Sequence, residues 1–198
     1  MSGKLVVFEG LDNVGKSSQL EILEGILTLD EIDYKIFKFP DRNTITGNLL
    51  DSYNSQLVDL EPHAANLLFA ANRWEKQAEI KHYLDHGFLV LTDRYFFSGC
   101  AYSCGADNLD LNWTLQVNKG MISPDLVLYC HATEENRLRR SMNKTSQRNG
   151  SVDIQRNIEN VYTKLKYDKW VDIDCNRTIP DISLDIQNHI KKLLEKST

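Results

Sequence analysis

Short apolar runs recur along the chain, separated by longer segments in which apolar residues return every three or four positions. The runs Leu5–Glu9, Lys35–Phe39, Phe88–Thr92, Leu126–Cys130 and Val171–Asp174 read as strands. Helical spacing covers Lys16–Leu29, Glu61–His86, Leu111–Asn118, Thr133–Met142, Ile154–Asp168 and Ile182–Glu195. This alternation predicts an α/β fold: a five-stranded parallel sheet with crossover helices on both faces. In such sheets ligands bind beyond the carboxyl ends of the strands, so informative residues are expected just after each strand. With no repeat and no linker, residues 1–198 are read as a single domain. One long polar stretch, Asn143–Asp153, interrupts the helical patterns; its composition suits either a mobile loop or a plain surface loop.

Composition changes this picture only by exclusion. A formal charge of −5 argues against a general nucleic-acid binder, which needs a basic face. It leaves room for a small phosphorylated substrate, because a few local arginines suffice. Cys100, Cys104, Cys130 and Cys175 form no C-x-x-C pair, so free thiols in a reducing compartment are expected. There is no signal-peptide pattern and no apolar run approaching about 18 residues, which excludes a membrane-spanning helix and leads to the expectation of an intracellular protein.

The first strand is followed by Gly10-x-x-x-x-Gly15-Lys16-Ser17 and then by helical spacing. This is a phosphate-binding loop in the context it requires: strand, glycine-rich turn, helix start. Glycines let successive backbone N–H groups converge on phosphate oxygens at a positive helix terminus. Lys16 is expected to reach the β- and γ-phosphates, and the Ser17 hydroxyl to ligate Mg²⁺. Gly10, Asn13, Val14, Gly15, Lys16, Ser17 and Ser18 therefore form the candidate ATP cradle.

The later strands end in further candidates. Phe39-Pro40-Asp41-Arg42 follows the second; Arg42 is by default a surface arginine, but at a strand tip facing the loop it becomes a candidate for a second phosphate. Asp93-Arg94 follows the third, where enzymes with this loop place an acidic partner of the magnesium shell. Phe69 and Arg73 share one helical face, suited either to core packing or to stacking on a base and donating to its carbonyl.

The segments Phe8-Glu9-Gly10-Leu11-Asp12, Phe39-Pro40-Asp41-Arg42, Asn72-Arg73-Trp74-Glu75, Asp93-Arg94-Tyr95-Phe96-Phe97-Ser98-Gly99 and Pro124-Asp125-Leu126-Val127 run in order from Gly3 to about Tyr129. Together with the phosphate loop they resemble the thymidylate kinases, in particular their eukaryotic and poxviral members, with weaker similarity to the chain end. The resemblance implies a P-loop nucleoside monophosphate kinase architecture with a short lid at about residues 143–153. It implies Mg²⁺-dependent transfer of the ATP γ-phosphoryl group to dTMP, in dTTP biosynthesis, by a cytoplasmic homodimer with a nuclear pool as a further expectation. By position, Asp12 would hold the sugar 3′-hydroxyl, Arg42 and Arg94 would clamp the dTMP phosphate, and Asp93 would support the metal through water. Phe69 would stack on thymine, Arg73 would bond its O4, Ser103 would face its N3 edge and Tyr102 would crowd the 2′ position; Phe39 and Gly99 complete this set. Arg140, Asn176 and Arg177 would lie near adenine, and Gln155 behind the lid.

Two departures carry consequences. Many eukaryotic relatives place an arginine at the position of Asn13, whereas bacterial ones supply it from the lid; Arg148 is therefore the candidate for the transition-state cation. Asn149-Gly150 stands where eukaryotic relatives often carry Tyr-Glu, which leads to the expectation of looser selectivity, with dUMP or dGMP as further substrates. The competing readings are another nucleoside monophosphate kinase, a non-catalytic homologue and a GTPase switch. The last lacks its Asn-Lys-x-Asp signature, since Asn118-Lys119-Gly120-Met121 and Asn143-Lys144-Thr145-Ser146 have no aspartate.

Overall fold

A computed structural model describes residues 2–141 and 150–195. Among these, five strands alternate with nine helices: β1 (Lys4–Glu9), α1 (Lys16–Leu29), β2 (Tyr34–Lys38), α2 (Ile45–Asn54), α3 (Pro62–Trp74), α4 (Gln77–Asp85), β3 (Leu89–Asp93), α5 (Phe96–Asp107), α6 (Leu111–Val117), β4 (Leu126–His131), α7 (Glu134–Ser141), α8 (Val152–Leu165), β5 (Trp170–Asp174) and α9 (Ile179–Glu195). The strands form one sheet in the order β2-β3-β1-β4-β5, and every pairing is parallel. The register sets Phe8 opposite Asp93 and Leu128, so the tips of β3 and β4 flank the tip of β1. The chain leaves β1 toward the β2–β3 side and returns to its other side at β4. That reversal opens the crevice into which the loop after β1 projects.

Helices surround the sheet, so its central strands are covered on both faces and read as unbroken apolar runs. Leu5, Val6, Val7 and Phe8 of β1 are wholly buried, as are Val90 and Leu91 of β3 and Val127 and Leu128 of β4. The core continues through Leu20, Leu23 and Leu27 of α1, Ile158 and Tyr162 of α8, and Ile182, Ile186 and Ile190 of α9.

Three expectations need correction. The segment Glu61–His86 is not one helix: α3 ends at Trp74, and α4 starts at Gln77. At the break the Lys76 amide reaches back only three residues to the Arg73 carbonyl, and the Gln77 side chain donates to that same oxygen. No proline or glycine marks the joint, so periodicity runs straight through it. Two helices, α2 and α5, were not expected. Helix α5 is packed between α3 and α8 and so has no polar face to betray it; Phe97, Ser98, Gly99, Cys100, Ala101 and Ser103 are all buried. Gly105 marks its closest approach to α8, since a Cβ there would lie 2.6 Å from the Ile158 nitrogen. Finally, the helix expected from Ile154 starts earlier, since Ser151 caps α8 and Val152 and Asp153 are already helical; residues 143–149 of the expected lid lie outside the described residues.

Candidate active site

The loop after β1 is bent by three left-handed residues, Gly10 (φ 130°), Asn13 (φ 63°) and Gly15 (φ 110°). Gly10 is required sterically as well, because a Cβ would meet the Cys130 carbonyl oxygen of β4 at 2.1 Å. Gly15 caps α1, so the free N–H groups of the first helical turn face the loop's mouth. Lys16 folds over the loop, donating to the Gly10 and Leu11 carbonyls at 3.0 and 2.6 Å. Burial, and then the nearby Arg94 cation, lower its pKa to about 8, against the pull of Asp12 and Asp93. From α7, Arg140 reaches across to the Val14 and Cys175 carbonyls at 2.8 and 2.7 Å, tying the loop to the end of β5.

Arg94 sits at the centre of the site. Its backbone is left-handed, φ 67°, which turns the side chain back toward β1 from the tip of β3. The guanidinium donates to Asp12 at 2.5 Å, to the Gly10 carbonyl and Ser98 Oγ at 3.0 Å each, and to the Tyr102 hydroxyl at 3.2 Å. Tyr102 in turn donates to Asp12 at 3.2 Å. Burial works against the Asp12 carboxylate, yet Arg94 and Lys16 outweigh it and hold the group below its usual range. A cavity of about 1100 Å³ opens in front of this set, and Asp12, Lys16, Ser17, Arg42, Asp93 and Arg94 are among its walls. Two cationic side chains from different loops, Arg42 and Arg94, thus converge with Lys16 on one space.

Arg42 projects into that space from the loop after β2, with its Nε 2.9 Å from Asp51 of α2. Phe39 packs beneath it against Tyr95, ring centres 5.9 Å apart. Phe69 is half-buried and stands edge-on to Tyr53. Arg73 is buried, and its guanidinium lies against the backbone of Gly99, where a Cβ would meet Nη2 at 2.7 Å. It donates to Asn118 at 3.0 Å, while its Nε has no partner among the described residues. Burial lowers its pKa to about 10, so it remains a cation at neutral pH. Ser103 accepts from the buried Asn66 at 2.8 Å. Phe69, Arg73, Gly99 and Ser103 do not line the large cavity; they belong to the adjoining α3–α5 face, joined to it through Tyr102.

On the opposite side, Asn176 accepts from the Thr133 amide and from Asn136, pinning the turn after β5 to α7. Arg177 is turned away to Asp185 of α9 at 2.6 Å, so it is the one member of the expected adenine set engaged elsewhere. Gln155 donates to the Gly150 carbonyl. Arg148 lies outside the described residues.

Ser17 Oγ donates to Asp93 at 2.9 Å. One neutral and one anionic oxygen suit Mg²⁺, which keeps waters and takes its remaining ligands from phosphates. The described residues hold no group of three or more His, Cys, Asp or Glu able to bind a metal without nucleotide.

Sequence reasoning missed Glu9. At the tip of β1, its wholly buried carboxylate accepts from the Tyr95 and Ser98 amides (2.9 and 3.1 Å), Ser98 Oγ (2.5 Å) and the Tyr162 hydroxyl (2.9 Å). Burial raises its pKa nonetheless. The available signal was an acidic residue ending an otherwise apolar strand, costly to bury unless fully hydrogen-bonded.

Comparison with known proteins adds an independent line. The thymidylate kinase family profile matches residues 8–186. The chain is 37% identical over 192 residues to the thymidylate kinase of Plasmodium falciparum, covering 96% of this chain and 91% of that one. It is 34% identical over 189 residues to that of Homo sapiens, covering 93% and 88%. A solved structure of thymidylate kinase from Candida albicans, an enzyme of broad substrate specificity, superposes with a TM-score of 0.84 at 29% identity, covering 96% and 92%.

Proposed function

The chain belongs to the thymidylate kinase family and phosphorylates dTMP, and on that premise we propose how its side chains divide the work. ATP binds over the loop after β1 with its γ-phosphate toward Arg94. Its partner enters the cavity phosphate first, between Arg42 and Arg94. A phosphate monoester oxygen is already a nucleophile at neutral pH, so the protein supplies position and charge rather than a general base. Lys16 leaves the carbonyls it now touches for the β- and γ-oxygens. Asp12 turns Arg94 toward the reacting phosphates and offers its second oxygen to the sugar hydroxyl. Ser17, and Asp93 through water, would hold Mg²⁺, which when bound neutralises charge on the phosphates.

The observation that carries this reading is the convergence of Lys16, Arg42 and Arg94 on one cavity beside the Ser17–Asp93 pair. On the base side, Arg73 and Ser103 read the pyrimidine edge, Phe69 stacks on it and Tyr102 closes the 2′ position. Loose selectivity is supported by Asn149-Gly150 in this sequence and by the broad specificity of the Candida albicans enzyme. A homodimer through α3 is supported by Leu67 and Trp74, 50% and 42% exposed and seven positions apart.

ADP release from ATP with a panel of monophosphates tests the proposal. Turnover is expected with dTMP, with weaker turnover of dUMP or dGMP. Confinement to dTMP would remove the selectivity claim, and activity persisting in an Arg42→Ala, Arg94→Ala double variant would remove the phosphate clamp.

A further inference from the structure

Asn72 is wholly buried, one position before Arg73, and is not among the residues that line the cavity. Its carboxamide is spent on a single target, the loop that carries Arg42. Oδ1 accepts from the Asp41 amide at 2.7 Å, and Nδ2 lies 3.2 Å from the Asp41 carbonyl and 2.9 Å from the hydroxyls of both Thr44 and Thr46. Thr44 caps α2, accepting from the Gly47 amide at 3.1 Å, and α2 carries Asp51, the partner of Arg42. One buried side chain therefore fixes the residue before Arg42 and the start of the helix that grips its guanidinium. Gly47 shows how closely these parts are seated, since a Cβ there would lie 1.8 Å from the Asp41 carbonyl oxygen.

We propose that Asn72 is a positioning residue for the phosphate end of the monophosphate substrate. It acts through Arg42 and holds the β2–α2 loop at a set height above the cavity. Arg42 itself is two-thirds exposed, with its side chain at 67%, so its own packing cannot fix it. A long cation on an untethered loop would lose rotational freedom on each binding event; a strapped loop has lost part of it beforehand. The same turn of α3 thus carries a reader of the base, Arg73, and the brace for a reader of the phosphate. This inference rests on the functional reading above.

Steady-state kinetics of Asn72→Ala test it. The KM for dTMP is expected to rise about tenfold, with the KM for ATP unchanged within twofold and kcat within threefold. Inhibition by thymidine, which has the base but no phosphate, should stay within twofold, and an Asn72→Ala, Arg42→Ala double variant should be no worse than Arg42→Ala alone. Thr46→Val, which removes one hydroxyl from the strap, should shift the dTMP KM in the same direction and serves if Asn72→Ala fails to fold. An unmoved dTMP KM, an equal loss of thymidine binding, or additivity with Arg42→Ala would each overturn the proposal. If the unaltered enzyme left dTMP untouched, the functional reading would fall, and this inference with it.

Discussion

Replacing Gly99 by alanine adds one methyl group against the guanidinium of Arg73. The new carbon would sit 2.7 Å from Nη2, 3.1 Å from Nη1 and 3.2 Å from Cζ, and relief to an ordinary 3.4 Å contact needs a shift of about 0.7 Å. Arg73 is buried and close-packed, so the guanidinium has to move along its hydrogen bond to Asn118. Stretching that 3.0 Å bond by this amount takes it beyond hydrogen-bonding range. Losing the Asn118 bond costs the fold about 1.5–3 kcal/mol, and losing a bond of the same kind from the displaced guanidinium to the base weakens dTMP binding by a similar amount, roughly a ten- to hundredfold change in an equilibrium constant. The helix itself gains, because alanine is favoured over glycine in a helix interior by about 0.5–1 kcal/mol. A binding defect therefore cannot be assigned to loss of α5. Coupled ADP-release kinetics should show the KM for dTMP rising by one to two orders of magnitude, with the KM for ATP unchanged and the chain still folded at the assay temperature by circular dichroism. An unaltered dTMP KM, or an equal rise in both KM values, would refute the placement of Arg73 as a reader of the base.

Gly105→Ala places a carbon 2.6 Å from the backbone nitrogen of Ile158, where backbone must yield; a loss of about 1–3 kcal/mol in urea unfolding is expected, and unchanged stability would disprove the close α5–α8 contact. Glu9 gives a pH dependence. Burial raises its carboxyl above the ordinary 4.5, so the folded chain holds the proton more tightly, and the stability this contributes is complete below 4.5 and lost as pH rises through the folded value. The stability of Glu9→Gln relative to the unaltered chain should therefore improve as pH climbs from 4.5; a pH-independent difference would contradict the shift. Arg148→Ala should slow single-turnover phosphoryl transfer more than tenfold, about 1.4 kcal/mol, and a smaller effect would assign the transition-state charge to another cation.

The sequence by itself was sufficient for whatever depends on neighbours along the chain. The phosphate loop was legible because its strand, glycines, lysine and helix start are contiguous. The parallel sheet was legible because strands buried on both faces leave unbroken apolar runs, although their ends shifted by about a residue. Tertiary structure decided the rest. Helix α5 has no polar face because neighbours cover it on more than one side, and periodicity reports only a boundary between core and water. The joint between α3 and α4 is tied to distant segments, with the Gln77 side chain accepting from the Tyr95 hydroxyl and the Ile122 amide while it donates to the Arg73 carbonyl. Arg94 and Asp12 could each be named as candidates, but their 2.5 Å contact joins positions 82 residues apart. Arg177 could be named too, and only the fold shows it committed to Asp185. Asn72 carries no local signature, and Glu9 only that of an acidic residue ending an apolar strand: their roles lie in donors and acceptors brought from distant segments. Hydrogen-bond partners of a buried polar group are a property of three-dimensional proximity, whereas turns and periodicities are written in adjacent residues.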